Sequence, residues 1–181
     1  MFVMTVNDKV SLQLLEPQHA AALFAIVDRE REYLRQWLGW LDNTRSVQTQ
    51  ALFIGTGLKQ FAEGKGLTTG ILYEDELCGT ASINSYDPIT KTATLGYWLS
   101  ESHTGKGITT DVVRALMDYC FFERGMEVVE IRAAVGNIKS RAIAERLGFA
   151  LHSTAHNAEN LYGRWVDHAV YQMTRKDYNH Y

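Results

Sequence analysis

Gly105 and Gly107 flank Lys106 at the end of the run Thr92 to Thr110, TATLGYWLSESHTGKGITT, which reads as a strand, a short loop and the first turn of an amphipathic helix. Glycines lack a Cβ, so the loop can turn its backbone N–H groups inward together. The helix that follows adds unpaired N-terminal N–H groups and the positive end of its dipole. This combination suits a phosphate-bearing ligand. A Walker-type loop requires a glycine five residues before the Gly-Lys pair and Ser or Thr after the lysine. Here Ser100 and Gly107 take those places, and magnesium–nucleotide chemistry loses its ligands. A dinucleotide fingerprint comes closer, with Gly105-x-Gly107 opening a helix and Glu127 near the acidic spacing, but Thr110 replaces its third glycine. That fold also needs repeated βαβ units, and the chain offers one.

The elements that must carry this loop follow from periodicity. Lys9–Leu15 alternates as a first strand, and Pro17 fits the first position of a helix striped by Ala20, Leu23, Phe24 and Val27. A second helical piece runs from about Glu30 to Leu38. A third spans about Ser46 to Phe61, with Val47, Leu52, Phe53, Leu58 and Phe61 as its apolar positions. Leu67–Tyr73, Leu77–Tyr86 and Thr92–Leu99 are strands joined by short turns and so antiparallel neighbours. The helix after Gly107 places Val112, Val113, Leu116, Met117 and Cys120 on one face. Glu127–Val135 is then a strand expected to run parallel to Thr92–Leu99. Asn137–Leu147 is a helix closed by Gly148, and Phe149–Ala158 pairs with Trp165–Thr174 around Tyr162-Gly163. The expected fold is α+β, a mixed α/β sandwich: a largely antiparallel sheet with one parallel βαβ step and helices on both faces.

Length and composition bound the rest. At 181 residues the simplest organisation is one domain over 1–181. The net charge of −3 gives no electrostatic basis for nucleic-acid binding. No apolar run reaches the roughly 18 residues needed to span a membrane, and the N-terminus lacks the features of a signal peptide. Cys78 and Cys120 sit in apolar segments and read as buried, reduced thiols, which points to the cytoplasm. His103, His152, His156 and His168 form no ligand set, so no metal is expected.

Two blocks together resemble the GCN5-related N-acetyltransferase (GNAT) superfamily. Ser102-His103-Thr104-Gly105-Lys106-Gly107 matches both glycines of the family's pyrophosphate loop, with Ser102 departing from its Gln/Arg position. Asn137 and Ser140, followed by a helix and Leu147-Gly148-Phe149, match its Asn-x-x-Ser and Leu-Gly-Phe block. The runs Arg31–Leu41 (REYLRQWLGWL) and Leu95–Leu99 (LGYWL) extend the resemblance over nearly the whole chain, to the branch that acetylates N-terminal amines of ribosomal proteins (RimJ/RimL type).

The resemblance implies acetyl-CoA as co-substrate and a primary amine as acceptor. Trp98, Leu99, Thr104, Gly105, Lys106, Gly107, Ile108, Thr109, Asn137 and Ser140 become the coenzyme-binding positions. Backbone N–H groups around Leu99 would polarise the thioester carbonyl. Glu159 matches the position of the proposed base, since an ammonium cannot attack until it loses a proton. Ser140 matches the acid that reprotonates the leaving thiolate, and Tyr171 is the alternative. Family members often pair, so a homodimer is among the assemblies the resemblance admits, and the sequence leaves the oligomeric state open. The acceptor is a protein N-terminus, with a polyamine, amino acid or aminoglycoside as the alternative; a non-catalytic acyl-CoA sensor is the reading from another class.

Ordinary structural roles compete at each position. Lys106 is either a phosphate contact or a solvated lysine. Asn137 is at least an N-cap. Ser140 shares a helix face with Ile143, Ala144 and Leu147 and should point inward. Trp37, Trp40 and Trp98 wall an acceptor groove or fill core. Arg29, Arg31 and Arg35, interleaved with Glu30 and Glu32, read as a solvated face.

Overall fold

The computed structural model describes residues 2–178. Among these, the strands are β1 (Val3–Thr5), β2 (Val10–Leu14), β3 (Leu67–Tyr73), β4 (Glu76–Asp87), β5 (Thr92–Leu99), β6 (Val128–Ala134), β7 (Ala150–Leu161) and β8 (Arg164–Thr174). They form one sheet in the order β1-β2-β3-β4-β5-β6-β8-β7. Every neighbouring pair is antiparallel except β5 and β6, the strands joined through a helix. The expected α+β fold with one parallel step is therefore found. β1 is an addition: three residues are too short to show an alternating pattern.

The helices are α1 (Ala20–Arg29), α2 (Arg31–Arg35), α3 (Val47–Ala62), α4 (Ile108–Asp118), α5 (Ile138–Arg146) and α6 (Arg175–Tyr178). α4 and α5 pack with Leu95, Leu99 and Ile131 in the main core. α1 and α3 pack with Leu15, Leu77 and Trp98 in a second cluster. Trp98 and Leu99 point oppositely along β5 because strand side chains alternate, so helices cover both faces.

The α4 stripe is as expected. Val112, Val113, Leu116 and Met117, and Cys120 in the π-helical turn Tyr119–Glu123 that continues the helix, are at most 1% exposed; the first four each contribute about 1.5–3 kcal/mol before the entropy of ordering. The α3 stripe differs. Its buried positions are Gln50, Ile54 and Gly57, whereas Leu52 is 73% and Phe53 47% exposed. Gly57 explains the rotation. A Cβ there would come within 3.1 Å of Thr68, so the bare backbone lets α3 approach β3 on its small-residue face.

One break in the sheet positions everything that follows. β5 and β6 pair only from Thr92↔Val128 to Leu95↔Ile131. β5 stays on β4 as far as Leu99↔Gly79, and β6 stays on β8 as far as Ala134↔His168. Beyond Leu95 the two central strands part, leaving a wedge between them.

Candidate active site

The wedge opens into a cleft of about 900 Å³ between the end of β5, the first turns of α4 and α5, and the segment around α2. Gly105 and Gly107 have φ of 80° and 75°, left-handed values that favour glycine. Nothing lies within 4 Å of a Cβ built at either, so conformation rather than crowding requires these glycines. Gly107 is the N-cap of α4. The first bond of that helix runs from Asp111 N–H to Gly107 C=O, so the preceding amides are left to meet an anion. Thr104, Gly105, Gly107, Ile108 and Thr109 all line the cleft.

The parted strand supplies the next group. Ser100 N–H donates to Cys78 C=O on β4 at 2.7 Å. Backbone groups alternate sides along a strand, so Leu99 N–H faces the gap that β6 has vacated. Trp98 and Leu99 both line the cleft.

Across the wedge, Asn137 caps α5 by accepting Ser140 N–H at 3.3 Å. Ser140 is half-buried and lines the cleft. Its Oγ lies 3.2 Å from the hydroxyl of Tyr97, which also donates to Ser140 C=O at 3.3 Å. Burial raises the Tyr97 pKa, partly offset by the Ser140 hydrogen bond. Sequence reasoning passed over Tyr97; its place two residues before Leu99, on the same strand face, was the available signal.

Lys106 and Glu159 stand outside this lining. Lys106 Nζ sits 4.8 Å from the Tyr73 ring centroid. Glu159 lies on β7 with Oε1 3.3 Å from His168 Nε2, and its Oε2 is 3.3 Å from the point a Gly39 Cβ would occupy. A second cavity of about 330 Å³, lined by Arg164, Trp165, Val166 and Asp167, adjoins the first, and Trp37 and Gly136 line both. A Cβ on Gly136 would meet the Trp37 ring at 3.2 Å, so this close approach depends on glycine.

Other expected roles are redistributed. Tyr171 is 1% exposed, donates to Glu145 Oε1 at 2.7 Å and accepts from Arg141 Nε at 2.9 Å; its hydroxyl is committed to the α5–β8 contact. Trp37 and Trp98 line the cleft, while Trp40 is 39% exposed and packs at a tilt against Trp98, ring centroids 6.2 Å apart. The charge run around α2 is more than a solvated face. Glu30 Oε1 accepts from Ser100 Oγ at 2.9 Å and from Glu101 N–H at 3.2 Å, and Arg31 donates to Thr44 C=O at 2.6 Å. Ser102 Oγ, the departure in the phosphate loop, lies between Ser100 Oγ and His103 Nδ1, at 3.0 and 3.1 Å. Arg146 was also missed: it lines the cleft from α5 and donates to Thr110 Oγ1 at 2.9 Å, bringing a fixed positive charge beside the amide cradle. Its i+3 spacing from Ile143 was the signal. Among the described residues, no group of three or more His, Cys, Asp or Glu is placed to hold a metal ion, and no helix is long and apolar enough to cross a membrane.

An acetyltransferase (GNAT) domain model matches residues 9–150. The Bacillus subtilis protein named "Putative ribosomal N-acetyltransferase YdaF" is 34% identical over 179 residues, covering 98% of each chain. A solved structure of RimL, a ribosomal L7/L12 alpha-N-protein acetyltransferase in complex with coenzyme A, matches with a TM-score of 0.93 at 27% identity, over 97% of this chain and 99% of that one. The microcin C7 self-immunity acetyltransferase MccE, solved with acetyl-CoA and AMP, matches with a TM-score of 0.89 at 28% identity, over 93% and 94% of the two chains. An amide cradle at a parted parallel strand pair is thus found in a chain whose family model and coenzyme-bound neighbours agree: it belongs to the GNAT acetyltransferases, in the ribosomal-protein N-acetyltransferase branch, and uses acetyl-CoA as co-substrate.

Proposed function

We propose that the protein, acting as one acetyltransferase domain, acetylates the α-amine of a protein N-terminus, of the ribosomal-protein type, by direct attack within a ternary complex. The observation that carries this reading is the meeting of two cavities at Trp37 and Gly136. The larger has the amide cradle for a diphosphate. The smaller, walled by Arg164, Trp165 and Asp167, offers the mixed polar and aromatic surface that suits a peptide end. The similarity to RimL over nearly the full chain supports the acceptor class.

Acetyl-CoA supplies a thioester carbonyl and a thiolate leaving group. The amides from Gly105 to Thr109 and the Arg146 guanidinium hold negative charge at the α4 terminus. Leu99 N–H offers a preorganised donor where the thioester oxygen gains charge, a contribution of about 10²–10³ in rate where measured elsewhere. Glu159, directly or through a water, takes the ammonium proton, an effect worth about 10²–10⁴. Ser140 delivers a proton to sulfur, with Tyr97 at hand to replace it.

MccE, solved with AMP, favours a second reading in which the acceptor is a small molecule. Mass spectrometry after incubation with acetyl-CoA and a panel of N-terminal peptides, spermidine, amino acids and aminoglycosides decides between them. Preferential acetylation of peptide α-amines is expected. Turnover confined to small amines sinks the first reading.

A further inference from the structure

The hairpin whose Val166 and Asp167 line the smaller cavity also carries a carboxylate–imidazole pair, Glu159 and His168, created by an irregularity in the sheet. Ala155 pairs with His168, and Glu159 pairs with Val166. Residues 156–158 of β7 therefore span the single residue Asp167 of β8, a bulge with two residues in excess. Directly opposed residues share a face, and so do residues two apart on one strand. Glu159, Val166 and His168 accordingly lie on one face, with Glu159 diagonal to His168. In a regular ladder Glu159 would stand opposite Arg164, beyond reach of that imidazole. Asp167 clamps the bulge: it accepts Asn157 N–H at 2.8 Å and lies 3.2 Å from His156 Nδ1, while Asn157 takes a positive φ of 46°.

The two carboxylate oxygens of Glu159 have different surroundings. Oε1 is 3.3 Å from His168 Nε2. Oε2 lies against Gly39, 3.3 Å from where a Cβ would stand, so any side chain there would crowd it. The Glu159 side chain is 37% exposed and His168 19%, so the imidazole is the more firmly packed of the two.

Resting on the assignment of Glu159 as base, we infer that His168 is a positioning residue for it. Nε2–H of His168 occupies Oε1 and fixes the carboxylate rotamer, and Oε2, opposite Gly39, is the atom that takes the proton of the acceptor amine. In that transfer an ammonium N–H bond breaks, its electron pair stays on nitrogen and an Oε2–H bond forms. The resulting carboxylic acid keeps its hydrogen bond to His168 until water removes the proton. A half-exposed glutamate without this tether samples rotamers that aim its lone pairs elsewhere, and a misplacement of about 1 Å at a reacting group costs on the order of 10²-fold.

Kinetics and NMR on the full-length protein test this. With acetyl-CoA and the peptide most active in the panel, His168→Ala lowers kcat about 10- to 100-fold, leaving coenzyme affinity by calorimetry at the wild-type value. His168→Gln, whose amide can still donate to Oε1, restores most of the loss. Gly39→Ala raises KM for the peptide and not for acetyl-CoA. Independently of any acceptor, ¹⁵N-histidine NMR finds His168 with its proton on Nε2. Wild-type kcat in His168→Ala, or a neutral His168 protonated on Nδ1 alone, overturns the inference. Wild-type turnover in Glu159→Gln removes the base assignment itself, whereas loss there with none in His168→Ala removes only the role of His168.

Discussion

The Tyr97 hydroxyl lies 3.2 Å from Ser140 Oγ and donates to the Ser140 carbonyl at 3.3 Å, tying β5 to the first turn of α5 where β5 leaves β6. Because Tyr97 donates to the carbonyl, its oxygen is free to accept from the serine. Burial keeps the phenol protonated through the neutral and mildly alkaline range. The pair is therefore a reservoir of exchangeable protons on the wall of the cleft.

Ser140→Ala is expected to lower kcat by about 10- to 100-fold, with CoA affinity held near wild type. Tyr97→Phe should cost less, about tenfold, because Ser140 remains. Steady-state rates paired with calorimetric titration of CoA make the comparison. Unchanged kcat in Ser140→Ala removes the serine from the final proton transfer.

Substituting Gly105 or Gly107 by Ala tests the amide cradle. An added methyl meets nothing at either site. The cost is the left-handed backbone, about 1–2 kcal/mol per residue. Either the loop relaxes, and CoA affinity falls by about tenfold or more, or it holds, and the protein unfolds at lower urea. Calorimetry and urea titration read the two outcomes. Neither change appearing in the double variant is incompatible with a strained cradle.

Glu30→Ala tests whether the phosphate loop is held from the opposite side of the sheet. It removes the acceptor of Ser100 Oγ and Glu101 N–H, 70 and 71 residues away in sequence. KM for acetyl-CoA should rise about tenfold, about 1.4 kcal/mol and so close to one hydrogen bond to a charged group, with KM for the amine little altered. An equal rise in both constants points to general loosening instead.

Alkaline pH should destabilise the protein, with its two thiols contributing alongside phenols that burial also holds protonated, Tyr86 and Tyr178 among them. Burial pushes both Cys78 and Cys120 from an ordinary 9.0 up to about 12. A folded-state value above the unfolded one means the contribution is fully present below the unfolded value, and declines as pH rises from about 9 toward 12. Urea midpoints at neutral pH and at about pH 10.5 should therefore differ markedly. The Cys78→Ala/Cys120→Ala variant, though less stable at neutral pH for its lost packing, should lose less between the two. Equal losses in both proteins count against the thiols.

Legibility in the sequence tracked the range over which each signal acts. Strands β3, β4 and β5 and the α4 stripe were readable because alternation and 3.6-residue spacing are local. The α3 face was misread because its orientation is decided by Thr68 approaching Gly57, a contact between elements. The amide cradle was legible from two glycines at a strand-to-helix junction. The Ser140–Tyr97 and Glu159–His168 pairs were not. The first needs the parting of β5 from β6, and the second needs a bulge that shifts β7 by two positions, neither of which leaves a mark in residue type. Glu30 was read as surface because its partners stand far along the chain.

Tyr162 and Gly163 form the two-residue turn between β7 and β8, with φ of 55° and 87° that match a type I′ hairpin. From that turn the Tyr162 hydroxyl donates to Leu38 C=O at 2.6 Å, and the Arg35 guanidinium covers its ring at 3.7 Å. The segment bearing Trp37 and Gly39 is thereby fastened to the hairpin bearing Glu159. Movement of either part has to carry the other or break these two contacts, so the spacing between Gly39 and the carboxylate of Glu159, the proposed base, is held from the turn.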